Sequence, residues 1–100
     1  MKNKKVKAIL AKNLRNYQIE LIEVINENTL PEQRQDFLAG AELLGCVQNE
    51  LLAEAPAPSS FLANLKEKAD RLLSQTFLPT CKNGLSQASY ALSELLDECR

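Results

Sequence analysis

The strongest constraint on this sequence is the spacing of its apolar residues, which recur at alternating steps of four and three in three separate segments. Such steps return to the same face of an α-helix and let it pack at a shallow angle on its neighbours. The three stripes, apolar except for Asn28 and Gln48, are Leu10, Leu14, Tyr17, Leu21, Val24 and Asn28; Phe37, Ala41, Leu44, Gln48, Leu51 and Ala55; and Cys81, Leu85, Ala88, Leu92, Leu95 and Cys99. A fourth segment, from Phe61 to about Thr76, has an apolar face opposite a charged one. No segment alternates with the period of two that is typical of a half-buried β-strand.

These patterns predict a single all-α domain similar to a four-helix bundle, with helices at about residues 5–28, 30–55, 60–77 and 81–99. The proline-rich stretch 56–60 is the predicted linker between the second and third helices. Pro31 suits the first turn of the second helix. The predicted N-cap residues are Thr29 for the second helix, Ser59 or Ser60 for the third, and Thr80 or Asn83 for the fourth.

The second segment has apolar residues on the side opposite its stripe as well: Ala39, Leu43, Cys46 and Ala53. A helix that is apolar almost all round is usually buried on both sides. Two interpretations follow. The segment is the central helix of a monomer, or these four residues form a face that binds a second copy or another partner.

Several classes of chemistry lack the residues that they need. The chain contains no histidine, which excludes histidine-based catalytic triads and histidine-ligated metals. Its three cysteines form no Cys-x-x-Cys pair, and we expect reduced, mostly buried thiols in a cytoplasmic protein. No apolar run approaches the roughly 20 residues that span a bilayer. We therefore expect no catalytic residue, metal, cofactor or membrane segment.

Charge is distributed unevenly along the chain, with a net charge of +6 over residues 1–15 and −7 over residues 16–100. Residues 1–5 are a candidate for a disordered basic arm. Three interpretations stay open: a solvated arm, an arm that pairs with acids such as Glu94, Asp97 and Glu98, or an arm that binds an external anionic partner. In a helix, four basic residues lie away from the apolar stripe and are the candidates for partner binding: Lys4, Lys5, Lys12 and Arg15.

The stretch 41–51 resembles the helix-turn-helix of phage Cro and repressor proteins. Ala41, Gly45 and Cys46 match the small residue, the turn glycine and the apolar residue after it, and Leu51 matches the buried aliphatic. The resemblance implies that Gln48 and Asn49 contact DNA bases at the start of a recognition helix. That segment carries Glu50 and Glu54 and no basic residue, whereas contacts to phosphates require positive charge.

A second resemblance concerns Asn13-Leu14-Arg15 in the long first segment, which is similar to the chorismate-mutase-like bundles. Those enzymes bind a dicarboxylate with inward-facing arginines and lysines. The further arginine that the pattern requires near the end of the helix is missing here. This alternative predicts a small helical enzyme with a clamped anionic substrate.

The sequence favours a non-enzymatic helical protein that acts by protein–protein interaction, as a regulator, adaptor or inhibitor. The partner in this interpretation can also be a second copy of the chain, bound through the second helix. Short, acidic, cofactor-free helical chains are typical of phage and mobile-element proteins that bind host machinery. A DNA-binding regulator and a small enzyme are the alternatives.

Overall fold

The computed structural model describes residues 4–26, 29–76 and 78–99, and these ranges contain no β-strand. The chain forms four α-helices: α1 (Lys4–Glu23), α2 (Pro31–Leu52), α3 (Ser59–Gln75) and α4 (Pro79–Glu98). The prediction of an all-α, four-helix arrangement is confirmed.

The first two helices end earlier than predicted. After Glu23 the chain turns, and the backbone N–H of Asn26 donates to the hydroxyl of Thr29 (3.0 Å), so local hydrogen bonds replace a further helical turn. Residues 27 and 28, the last of the predicted first helix, lie outside the described residues. The second helix ends at Leu52 because Ala53 adopts an extended conformation (φ −69°, ψ 141°) before the proline-rich linker begins.

The predicted side-chain N-caps at Thr29, Ser59 or Ser60, and Thr80 or Asn83 are wrong. Proline is the first residue of both α2 and α4, and Leu30 and Leu78 precede them without a side-chain hydrogen bond. Ser59 is the first residue of α3, which Pro58 precedes, also without a side-chain cap. Proline has no N–H, so it leaves one unsatisfied donor fewer at the start of the helix, and its fixed φ already suits a first helical turn.

Contacts that move forward along one helix move backward along its neighbour, as expected for antiparallel helices. Gly40 of α2 lies against Leu21 of α1, and Gly45 lies against Gln18. Ser89 of α4 accepts a hydrogen bond from Lys66 of α3, and Cys81 lies beside Thr76. Helices α2 and α4 also meet across the centre of the bundle, whereas the backbones of α1 and α3 stay apart. Fully buried leucines form the core, among them Leu14, Leu21, Leu44, Leu85 and Leu92.

Helices α2 and α4 each pack against all three other helices of the bundle. Close packing depends on Gly84, where an added Cβ atom would lie 3.1 Å from Cβ of Tyr17 and 3.2 Å from Cδ1 of Leu44.

Among the described residues, no helix combines the length and apolar character that crossing a membrane requires.

Candidate partner-binding groove

An open groove runs between α2 and α3, which pack on each other less extensively than the other neighbouring helix pairs. It has a volume of about 280 Å³. The lining residues come from both helices: Ala39, Glu42, Leu43, Cys46, Leu65, Lys68, Arg71 and Leu72. We call this feature the α2–α3 groove.

The floor of the α2–α3 groove is apolar. Leu43 and Leu65 are buried, at 4% and 6% exposure, and Leu72 is half-buried beside them. On the α2 side the remaining apolar residues are small: Ala39 is exposed and Cys46 is half-buried. Short side chains on this wall fill little of the space between the two helices.

The two rims of the groove carry opposite charge. Glu42 is exposed on the α2 rim, whereas Lys68 and Arg71 are exposed on the α3 rim. Arg71 also pairs with Glu67 at 3.4 Å, but both side chains are largely exposed, so this ion pair contributes little. The single basic residue of α2, Arg34, donates to the carbonyl oxygen of Asn26 (2.8 Å) near the end of α1 and does not line the groove.

Three of the four residues predicted to form a dimer or partner face line this groove. They are Ala39, Leu43 and Cys46, whereas Ala53 lines a different cavity at the end of the bundle because α2 ends just before it. Sequence reasoning missed the α3 wall. Leu65 and Leu72 stand on the apolar stripe of α3, and their spacing gives no signal that separates lining a groove beside α2 from packing against α4.

The basic residues 4 and 5 belong to α1, so the predicted arm 1–5 is helical from Lys4 onward, and residues 1–3 lie outside the described part. One cation turns inward: Nζ of Lys7 lies 3.0 Å from Oε2 of Glu98, and the two side chains are only 23% and 19% exposed. Burial raises the pKa of Glu98, but its hydrogen bond to Lys7 contributes to a pKa below the ordinary value. Pairing of the basic segment with α4 is confirmed at this residue.

The four predicted partner-binding residues, Lys4, Lys5, Lys12 and Arg15, are all exposed along α1. They form the outer basic face of α1. Arg15 is therefore not directed into the bundle core, where a chorismate-mutase-like clamp would need it.

The helix-turn-helix prediction is wrong. Helix α2 continues through Gly45, no described glycine has a positive φ, and there is no turn to separate two helices. Gln48 is half-buried and donates from Nε2 to Oε1 of Gln18 (2.8 Å), while Gln18 donates to the carbonyl oxygen of Ala41 (2.8 Å). Gly45 leaves room for this amide, since an added Cβ atom would lie 2.9 Å from Nε2 of Gln18. Asn49 is exposed.

The cysteines occupy three different environments. Cys81 is buried, Cys46 is half-buried and Cys99 is exposed, and all three are free thiols. The prediction of burial thus holds for Cys81 and is wrong for Cys99, which lies just beyond the last residue of α4. Burial raises the pKa of the Cys81 thiol. Within ranges 4–26, 29–76 and 78–99, no group of three or more His, Cys, Asp and Glu side chains is placed to hold a metal ion.

Comparison of the chain with models of protein families, with curated proteins and with solved structures finds no significant match.

Proposed function

We propose that this chain is a non-enzymatic helical bundle of the cytoplasm that acts by binding a protein, with the partner's helical surface in the α2–α3 groove. The observation that carries the proposal is an open groove with an apolar floor and oppositely charged rims, between two otherwise well-formed helices.

The groove offers an apolar floor along which a helix can lie. Ala39, Leu43 and Cys46 follow one another at steps of four and three along α2, and Leu65 and Leu72 continue the floor along α3. An amphipathic helix can place its apolar face on such a floor, and the affinity comes from removing that face from water together with Ala39, Cys46 and Leu72, which are not yet fully buried. The charged rims then favour one orientation and disfavour wrong partners.

A designed peptide tests this proposal without knowledge of the natural partner. The probe is a fluorescein-labelled amphipathic helix of about 20 residues, which is about 30 Å long, with leucines on one face, lysines along one edge and glutamates along the other. Its fluorescence anisotropy should rise on titration with the protein. A peptide with glutamine in place of leucine should not bind, because its apolar face is gone.

The variant Ala39→Glu places a charge at the groove while retaining a helix-compatible, exposed position. It should weaken peptide binding at least about tenfold, because a carboxylate buried against the leucines loses its hydration. Ala63→Glu is the matched control: Ala63 is exposed on α3 and does not line the groove. Equal peptide affinity for Ala39→Glu and the wild type would refute the groove as the binding site.

The outer basic face of α1 supports a second candidate, an acidic protein surface as partner. Lys4, Lys12 and Arg15 are exposed, while the nearby Lys7–Glu98 ion pair holds this segment against α4. Changing Lys4, Lys5, Lys12 and Arg15 to glutamate should abolish binding of a polyglutamate peptide at low salt and leave helicity intact. Binding that survives the four changes would contradict this candidate, and tight binding of duplex DNA instead would assign the face to nucleic acid.

A further inference from the structure

Two charges on opposite rims of the α2–α3 groove, Glu42 and Lys68, stand at about the same height along the bundle, and Arg71 lies about one turn further along α3. The groove extends over residues 39–46 of α2 and over residues 65–72 of α3, and these two helices run antiparallel. Glu42 lies at the middle of the first stretch and Lys68 at the middle of the second. An acid on one rim therefore stands across the groove from a base on the other.

This arrangement is self-complementary for one type of two-fold symmetry. Consider two copies that meet groove to groove and are related by a two-fold axis parallel to the helices. The half-turn keeps every residue at its height along the bundle and swaps the positions of the α2 and α3 rims. The α2 rim of one copy then covers the α3 rim of the other, so that Glu42 faces Lys68 twice. An axis perpendicular to the helices would instead place Glu42 against Glu42 and Lys68 against Lys68, which repel each other.

We propose that the occupant of the α2–α3 groove is a second copy of this chain, related by a two-fold axis parallel to the helices. This inference rests on the proposed function and names the partner. The symmetric contact is isologous, the commonest form of homodimer. Ala39, Cys46 and Leu72 of the two copies supply the apolar contact above Leu43 and Leu65, which are already buried in each copy, and two Glu42–Lys68 pairs flank it.

The available area indicates a weak dimer. Helix α3 has 17 residues and so a length of about 25 Å, and two adjacent helices of about 10 Å diameter present a face about 20 Å wide. The groove covers eight residues of each helix, about 12 Å, so the contact must continue along the whole of α3 to reach about 500 Å² per copy, or about 1,000 Å² in total, which is the lower limit for a specific interface. We expect association in the micromolar range.

Sedimentation equilibrium and charge reversal test the inference together. The wild-type chain should approach twice its mass of 11.1 kDa at high micromolar concentration. Glu42→Lys and Lys68→Glu should each weaken association about tenfold, because each change turns two attractive pairs into repulsive ones. An equimolar mixture of the two variants should restore dimers, since every pair across the mixed interface is again a lysine with a glutamate.

Glu20→Lys and Lys82→Glu are the matched controls, because both residues are exposed and neither lines the groove. They should dimerise like the wild type. If the wild type dimerises and neither Glu42→Lys nor Lys68→Glu weakens the dimer, the proposed axis is wrong. A wild-type monomer that still binds the leucine-faced peptide would overturn this inference and leave the proposed function intact, whereas failure of both assays would remove both.

Discussion

Replacing Gly84 with alanine adds one methyl group at the point where α4 packs against α1 and α2. In an exposed helix this change would stabilise the protein by about 0.5–1 kcal/mol, because glycine loses more backbone freedom on folding. Here the added Cβ atom would lie 3.1 Å from Cβ of Tyr17 and 3.2 Å from Cδ1 of Leu44. Carbon atoms in good contact are separated by about 3.5–4.0 Å, so both neighbours are too close.

The contact with Cβ of Tyr17 decides whether Gly84→Ala stabilises or destabilises the fold. This Cβ is bonded directly to the α1 backbone and cannot rotate away, so the two helices must separate. Overpacking of this kind costs about 1–3 kcal/mol. After the gain in helix propensity is subtracted, Gly84→Ala should destabilise the fold by about 1 kcal/mol, a change in Tm of about 4–8 °C for a domain of this size.

Gly40→Ala is the internal comparison, because Gly40 is also buried inside a helix. Its added Cβ atom would lie 3.3 Å from Cδ2 of Leu21 and 3.4 Å from Sγ of Cys81, both of which end flexible side chains. This variant should therefore be neutral or slightly stabilising. Urea denaturation followed by circular dichroism measures both free energies of unfolding, and Gly84→Ala as stable as Gly40→Ala would refute the argument.

Two further predictions concern titration and thiol reactivity. A hydrogen bond from Ser89 (2.7 Å), with help from Lys66, holds the pKa of Asp70 below its ordinary value of 3.8. As the pH falls, Asp70 is protonated in the unfolded chain before it is protonated in the folded one. The free energy of unfolding that ionised Asp70 contributes above pH 3.8 is therefore lost as the pH falls toward the pKa of Asp70 in the folded protein. In Ser89→Ala the urea midpoint of unfolding should fall less steeply as the pH is lowered through this range. An unchanged pH dependence of the midpoint would contradict the role of Ser89 in lowering the pKa of Asp70. Iodoacetamide should modify exposed Cys99 rapidly and spare Cys81 in the folded protein, because burial restricts access and raises its pKa; mass spectrometry that finds Cys81 modified first would contradict this expectation.

The helices and much of the core could be predicted from local pattern alone. Leu14, Leu44 and Leu92 stand in the predicted stripes, and all three are fully buried. The helix boundaries follow less directly from the pattern, because several kinds of interaction compete at a helix end. At Pro31 and Pro79, a proline in the first turn begins the helix without the side-chain cap that the nearby threonines suggested.

The candidate site could be predicted only in part. Ala39, Leu43 and Cys46 were identified from the two-sided apolar pattern of α2. Lys68 and Arg71 belong to a charged face that is typical of any solvated helix, and nothing in the α3 sequence distinguishes them from Lys66, which turns toward α4.

By itself the sequence determined that the chain folds as four amphipathic helices without histidine chemistry, because periodicity and residue type are properties of each segment alone. Only the tertiary structure decided that Gly45 makes room for an amide rather than a turn, that Lys7 reaches Glu98, and that a groove remains open between α2 and α3. The physical reason is that an apolar face fixes which side of a helix is buried. The distance to its neighbour depends on the side-chain volumes of all four helices packed at once.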